Sequence, residues 1–314
     1  MRVAVLQGGR SLERQVSLQS GQRVEESLRR LGHEVHGVDI DHELVRRLVA
    51  LRPDVAFVAL HGEDGEDGTV QELLEVLGVP YTGSGPGACE QCWDKVVAKR
   101  VLATAGVATP DAVSVSSSAF KQLGAADALG RVGERLGYPL VVKPSRQGSA
   151  LGLRMVRRAE DAPGALVAAL SYDDRVLLER HVDGHDLSIS ILDGTALPIV
   201  EVQPRDLDPY SARYTIGQTT FTCPAELEPA TASAAEALAL RAFHALGCRG
   251  FARVDLLVDR STGALTVIEV DAVPGLTHTS YLPVAAEAAG IDFDALVDRL
   301  IGLALRPEAP AATT

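Results

Sequence analysis

Arg253, Asp255, Glu269 and Asp271 all sit at odd positions of two apolar segments, Gly250 to Val258 and Val267 to Gly275, joined by Asp259-Arg260-Ser261-Thr262-Gly263. Side chains alternate faces along a strand, so the charged groups of each segment share a face. The polar, glycine-containing connection predicts a hairpin. If 258 opposes 264, then 255 opposes 267, 253 opposes 269, and all four charged groups converge. The other face (Val254, Leu256, Val258, Ile268, Val270) is apolar and reads as the core side. Three carboxylates this close repel one another unless a cation sits among them. All-oxygen ligands suit Mg²⁺, which commonly also holds substrate phosphates. A solvated outer face is the general alternative, but the apolar opposite face turns these acids toward a cleft.

The remaining composition narrows the partners. A chain of 314 residues can form two or three domains. Its apolar runs are only strand-length, which excludes a bilayer span. Met1 to Leu6 runs into a Gly-Gly turn and reads as a first strand, not a signal peptide. Four cysteines (Cys89, Cys92, Cys223, Cys248) give no disulfide framework and suit a reducing cytoplasm. Cys89-x-x-Cys92 has no second pair and reads as two small helix residues. The net charge of −12 argues against nucleic acid or an anionic membrane. A phosphate ligand would therefore need local positive charge. Only four of the 30 basic residues are lysines (Lys95, Lys99, Lys121, Lys143), so a lysine at a motif position carries weight. Lys99 and Lys121 read as ordinary surface residues.

Alternating elements open the chain: strand 2–7, helix 17–31, strand 34–39, helix 41–51, strand 54–60, helix 68–77 and a short strand at Tyr81. This βαβ rhythm predicts a doubly wound parallel sheet with ligands at the carboxyl ends of its strands. One helix is expected over 86–106, a Ser-rich link at 114–118 and helix at 119–136. A smaller α/β module follows: strand 139–143, a glycine loop 144–152, strand 152–156, helix 159–170 and strand 174–180. Strands at 186–193, 197–203 and 219–223 precede a helix at 228–246, the hairpin, helices near 283–289 and 291–305, and a tail.

Four further segments carry chemistry. In Gly8-Gly9-Arg10-Ser11-Leu12-Glu13, the glycines allow close backbone approach to a ligand, and Glu13 suits an amine. It is not the GxGxxG fingerprint, and a plain strand–helix turn is the other reading. His61 to Thr69 is either a solvated turn with Asp67 near the next helix start, or it faces His61 and Glu66 to the cleft. Lys143 to Gly152 places a cation and Gly/Ser backbone amides at a strand end, a phosphate cradle without a Walker A ending. Val176 to Val182 can present backbone groups and Glu179 to an adenine, although an interdomain linker would look the same.

In this order the segments resemble the ATP-grasp superfamily and, within it, the D-alanine–D-alanine ligase family. The resemblance runs from Val3 to about Leu303 and includes Tyr81 to Gly85, Trp93-Asp94-Lys95, Ala212-Arg213-Tyr214 and Cys223-Pro224-Ala225. It implies an α/β, three-domain ATP-grasp fold: an N-terminal substrate domain 1–98, a central subdomain 99–182, a catalytic domain 183–306 and a tail 307–314. It implies ATP-dependent joining of two D-alanines through an acyl phosphate, for peptidoglycan precursors, in a cytoplasmic homodimer. Lys95 and Lys143 would contact ATP phosphates, Arg213 would bind ATP, Glu179, Arg180 and Val182 would line the adenine pocket, and Asp186 would meet the ribose. Asp255, Glu269 and Asp271 would hold two Mg²⁺ ions, or Mn²⁺. Glu13 would bind the first ammonium and, with Ser149 and Tyr214, link the N-terminal domain to two closing loops, 144–152 and about 205–220. His61, Ser280 and Tyr281 would bind substrate, and Arg253 with the Gly275 amide would hold the oxyanion. Asp271 stands where the family usually has Asn, Arg213 where it usually has Lys, and Tyr281 where an aliphatic residue is common. Tyr281 and the acidic pair Glu63-Asp64 point to the alternative, a related ligase with a different second substrate.

Overall fold

Strand β1 (Arg2–Gln7) runs parallel between β2 (Glu34–Asp39) and β3 (Val55–Val58). These strands belong to a computed structural model that describes residues 1–124, 129–204 and 219–306. The inner residues of β1 and all of β3 are buried, as expected where helices cover both faces of a parallel sheet. Val3 and Val5 pack with Val24 and Leu28 of helix α1 (Arg14–Arg30), whereas Ala4 and Leu6 pack with Leu48 of α2 (Leu44–Leu51) and Leu74 of α3 (Thr69–Leu77). Tyr81 makes only an isolated parallel bridge to Ala56.

The single helix expected over 86–106 is two, α4 (Pro86–Trp93) and α5 (Lys95–Thr104). Asp94 between them is extended, and its carboxylate accepts from the amides of Val96 and Val97. An aspartate in this role starts a new helix, and it makes Lys95 the first residue of α5. The position 98/99 lies inside that helix.

The second sheet has the order β4 (Ala112–Ser116), β7 (Arg175–Arg180), β5 (Leu140–Pro144), β6 (Arg154–Val156), with antiparallel neighbours. The Ser-rich stretch expected as a link is mostly β4. Val113 and Val115 alternate with its serines, the pattern of a half-buried strand. Helices α6 (Ser117–Gln122), α7 (Leu129–Leu136) and α8 (Ala162–Ala169) accompany this sheet.

The third sheet has the order β11 (Thr219–Thr222), β10 (Val200–Pro204), β8 (Gly184–Leu192), β12 (Phe251–Asp259), β13 (Leu265–Asp271), with β9 (Thr195–Ala196) beside β8. Helix α9 (Pro229–Ala245) packs on it, followed by α10 (Tyr281–Ala288) and α11 (Phe293–Ala304). No helix among the described residues is long and apolar enough to cross a membrane. Arg213, Tyr214 and the tail 307–314, and most of the expected closing loop 205–220, lie outside the described residues.

The hairpin forms in a corrected register. Val258 pairs with Leu265, not residue 264, and the register shifts by one between Asp255 and Leu256. Asp255 then opposes Glu269 and Arg253 opposes Asp271, so the four charges converge after all. The extra residue is a β-bulge, which inserts one position into one strand and re-aims the side chains around it. Val267 consequently enters the core (1% exposed), and Ile268, expected on the core face, lines the cavity instead. Val267→Asp is expected to cost about 4 kcal/mol or more by burying an unpaired charge, whereas Ile268→Asp should fold. Equal loss in urea unfolding of the two variants would contradict this placement.

Candidate active site

A cavity of about 880 Å³ lies where the three sheets meet. Its lining includes Glu13, His61 and Glu66 from the first unit and Lys143 and Ser149 from the second. Lys95, Asp186, Arg253, Asp255, Glu269, Asp271, Gly275, Ser280 and Tyr281 complete the expected residues that line it. Glu179, Arg180 and Val182 are not part of the lining. Arg180 pairs with Asp111 at 3.0 Å at the surface. Gly8 and Gly9 also lie outside it. Their positive φ angles and missing side chains accommodate Asp39 and Ile40, so this is a packed strand–helix turn. Of the two readings of 61–69, the structure takes the cleft-facing one.

The cation among the acids is Arg253 itself. Its Nε lies 3.0 Å from Asp255 Oδ1, its Nη1 2.9 Å from Asp271 Oδ2 and its Nη2 3.9 Å from Glu269 Oε1. Among the described residues, no three acidic, imidazole or thiol groups are gathered into a ready metal site. The donor chemistry nevertheless fits a hard divalent ion. Asp255 is held by Arg253 and by Ser188 Oγ at 2.7 Å, yet burial still pushes its carboxyl above the usual range. It therefore remains under-compensated, and further positive charge from the cavity side would relieve it.

Two lysines face the same space. Lys95 is buried, donates to the Gln147 carbonyl at 2.7 Å and lies 3.2 Å from Glu269 Oε2. The start of α5 is tied to the end of β5: Ser145 Oγ donates to Asp94 at 2.6 Å, and the Lys95 amide donates to the Ser145 carbonyl. Lys143 Nζ lies 2.6 Å from Glu179 Oε2, and Lys99 Nζ lies 2.8 Å from the other oxygen of that carboxylate. Lys99, expected at the surface, is mostly buried. These ammonium groups overcome the burial of Glu179 and hold its carboxyl below the usual range.

Opposite them, Ser149 Oγ donates to Glu13 Oε1, bringing two expected partners together across the glycine loop. Ser149 and Ala150 both have positive φ (45° and 54°), an uncommon conformation for residues with side chains. Glu13 Oε2 is buried and has no hydrogen-bond partner among the described residues. Burial, then the nearby Glu66, pushes the Glu13 carboxyl up to about 7. His61 is held by Ser20 Oγ at 3.2 Å and Glu66 at 3.4 Å. Glu66 itself rises to about 8, from burial and then Asp271.

Glu13→Gln is expected to raise the thermal midpoint at pH 8 but not near pH 5, while activity is lost. Between the ordinary carboxyl value of 4.5 and about 7 the native state holds a proton that the unfolded chain releases. The stability linked to this group is therefore full at low pH and falls as pH rises through about 7. An amide does not titrate. An equal shift in midpoint at both pH values would contradict this.

The loop after β13 completes the wall. Ser280 Oγ accepts from the Thr277 amide at 3.1 Å and bonds Thr277 Oγ1 at 2.8 Å. A Cβ on Gly275 would lie 2.6 Å from Ser280 Oγ, so the backbone passes where only glycine fits. Tyr281 starts α10 with its ring centroid 5.9 Å from the Arg253 guanidinium carbon and 6.1 Å from the Phe221 centroid.

Sequence reasoning missed the supports. Arg23 Nη1 donates to the carbonyls of Leu276 and Thr277, stacked 3.6 Å over Phe293, and Ser20 Oγ accepts from the Leu276 amide. Thus α1 holds the loop that carries Gly275. Ser20 and Arg23 are spaced three apart on one helix face, and Ser188, which holds Asp255, lies two residues along β8 from the expected Asp186. Both signals are present in the sequence but are too common to single out. Conversely, Glu63-Asp64 needs no substrate, because Arg10 lies 2.8 Å from Asp64 and 3.9 Å from Glu63.

The chain is similar to known proteins in sequence and in fold. Residues 101–302 match the family model for the D-ala D-ala ligase C-terminus, and residues 44–84 match that for its N-terminus. The chain is 42% identical over 307 residues to a D-alanine–D-alanine ligase of Syntrophotalea carbinolica, covering 97% of each. It is 42% identical over 311 residues to one of Moorella thermoacetica, covering 98% of this chain and 100% of that one. Among solved structures it resembles the Bacillus anthracis D-alanine–D-alanine ligase (TM-score 0.85, 34% identity, 98% of each chain) and that protein complexed with ATP (TM-score 0.83, 33% identity, 98% of each). These likenesses extend over nearly the whole chain, and the fold they share is the ATP-grasp fold. The chain belongs to the D-alanine–D-alanine ligase family.

Proposed function

We propose that this chain uses ATP to join two D-alanines into D-alanyl-D-alanine for peptidoglycan precursors, in the cytoplasm and as a homodimer. The observation that carries this reading is the cavity itself. Arg253, Lys95 and Lys143 face a buried, unpartnered carboxylate oxygen of Glu13 across one space. An amino acid fits with its ammonium at Glu13 and its carboxylate toward the cations. Domains 1–98, 99–182 and 183–306 suit the three sheets, with the first boundary carried by α5.

The first carboxylate is a poor electrophile; one of its oxygens attacks the γ-phosphate of ATP, the bond to the β-phosphate breaks, ADP leaves and an acyl phosphate forms. Lys95 and Lys143 disperse the transferring charge, with Arg213 as a further ATP contact. Asp255, Glu269 and Asp271 would hold two Mg²⁺ ions (or Mn²⁺), which would neutralise phosphate charge. Ser280 and the Tyr281 backbone hold the second carboxylate, and His61 fixes the floor. The second amine, in its neutral form, attacks the acyl carbon, Arg253 with the Gly275 amide stabilises the oxyanion, and collapse breaks the carbon–oxygen bond to release phosphate as the amine loses a proton. The Ser149–Glu13 contact closes the loop over the substrate, and Tyr214 on the second closing loop joins it, excluding water that would hydrolyse the acyl phosphate. In this reading adenine would lie toward Glu179, Arg180 and Val182, which do not line the cavity, with ribose at Asp186, which does.

Tyr281 favours a second reading, a different second substrate, because its ring lines the cavity beside Arg253. A solved D-Ala:D-Ser ligase of Enterococcus faecalis shares the fold (TM-score 0.82, 26% identity, covering 97% of this chain and 99% of that one). Product analysis with D-alanine, ATP and Mg²⁺ decides. D-Alanyl-D-alanine from D-alanine alone is expected, and its absence alongside a mixed product would move the assignment to the second reading.

A further inference from the structure

We infer that Lys99 is a positioning residue for nucleotide binding: it offsets the charge of Glu179, so that Lys143 meets the phosphates as a net cation. The inference rests on the proposed ATP site. Lys99 Nζ forms an ion pair with Glu179 Oε1 at 2.8 Å and donates to Thr109 Oγ1 at 2.6 Å and to the Pro110 carbonyl at 2.7 Å. It does not line the cavity. Glu179 Oε2 turns the other way, to Lys143 at 2.6 Å, and Lys143 does line the cavity.

All three side chains are largely withdrawn from water (13, 3 and 8% exposed), where charges are weakly screened. Lys143 and Glu179 alone would form a neutral pair with little pull on a phosphate. Two ammonium groups around one carboxylate leave one net positive charge, and only Lys143 can present it. Lys95 and Lys99 are spaced i, i+4 on α5. One helix face thus sends one lysine to the cavity and the next behind Glu179. Lys99 also ties α5 to residues 109–110, just before β4, so a purely structural role must be separated from an electrostatic one.

Lys99→Met keeps the buried stem and removes the charge. ATP and ADP binding by calorimetry is expected to weaken roughly 10- to 100-fold, the range for a charge-assisted contact. Adenosine binding should change less than about twofold, because it does not depend on phosphate affinity, whereas turnover should fall together with ATP affinity because Lys143 also disperses the transferring charge. Lys99→Arg should keep most ATP affinity. Lys99→Gln, a second neutral replacement, should weaken ATP binding as Lys99→Met does. Wild-type ATP affinity in a folded neutral variant, or equal loss of ATP and adenosine, would overturn the inference. If neither neutral variant folds, Lys99→Arg carries the test: it should bind ATP within roughly tenfold of wild type, and a larger loss overturns the inference. A wild-type chain that binds no ATP would instead overturn the proposed site.

Discussion

Replacing Arg253 with alanine is expected to lower turnover roughly 10²-fold or more while ATP binding persists, as for a lost oxyanion donor. The arginine is partly buried among Asp255, Glu269 and Asp271, and its guanidinium is already oriented by two of them. An oriented donor needs no reorganisation when charge develops on the reacting carbon. The same geometry gives the side chain a second effect. Without it, three partly buried carboxylates lose a shared cation, at a cost of about 1.5–3 kcal/mol, the range for a hydrogen bond to a charged group. Stability and turnover must therefore be measured together, by thermal unfolding and phosphate release. Lys at this position keeps a charge but not the planar fork that spans Asp255 and Asp271, so it should restore stability better than turnover. Wild-type turnover in folded Arg253→Ala would refute the role.

Gly275→Ala is expected to lower kcat/KM about 10²-fold, with the fold intact. The added methyl would lie 2.6 Å from Ser280 Oγ. Ser280 cannot rotate away freely, because its hydroxyl is fixed by both the amide and the hydroxyl of Thr277. The loop cannot retreat easily either, since Arg23 and Ser20 hold Leu276 and Thr277 from α1. The strain thus falls on the proposed oxyanion amide and carboxylate site. Because one contact is responsible, the loss should not be additive with Ser280→Ala. The double variant should be little worse than Ser280→Ala alone, and steady-state kinetics showing fully additive losses would contradict the contact.

Much of this site was legible in the chain. Period-2 alternation put Arg253, Asp255, Glu269 and Asp271 on one face, and the scarcity of lysine marked Lys95 and Lys143. The register was not legible. A bulge adds one residue without disturbing the apolar count, so Val267 and Ile268 exchanged faces unseen. The break at Asp94 was hidden because an aspartate capping a new helix looks like an aspartate within one. Lys99 was misread because burial of a lysine depends on a carboxylate 80 residues away, Glu179, which only the tertiary fold supplies. Glu66, by contrast, was weighed correctly as one of two possibilities, and packing against His61 decided it.

The central claim is that the first carboxylate is activated as an acyl phosphate in this cavity. It is tested most directly with D-alanine labelled with ¹⁸O in its carboxylate, in the presence of ATP and Mg²⁺. Mass spectrometry of the released phosphate is expected to show one labelled oxygen for each D-alanyl-D-alanine formed, because the carbon–oxygen bond breaks when the second amine attacks. Dipeptide formed with unlabelled phosphate would contradict the claim.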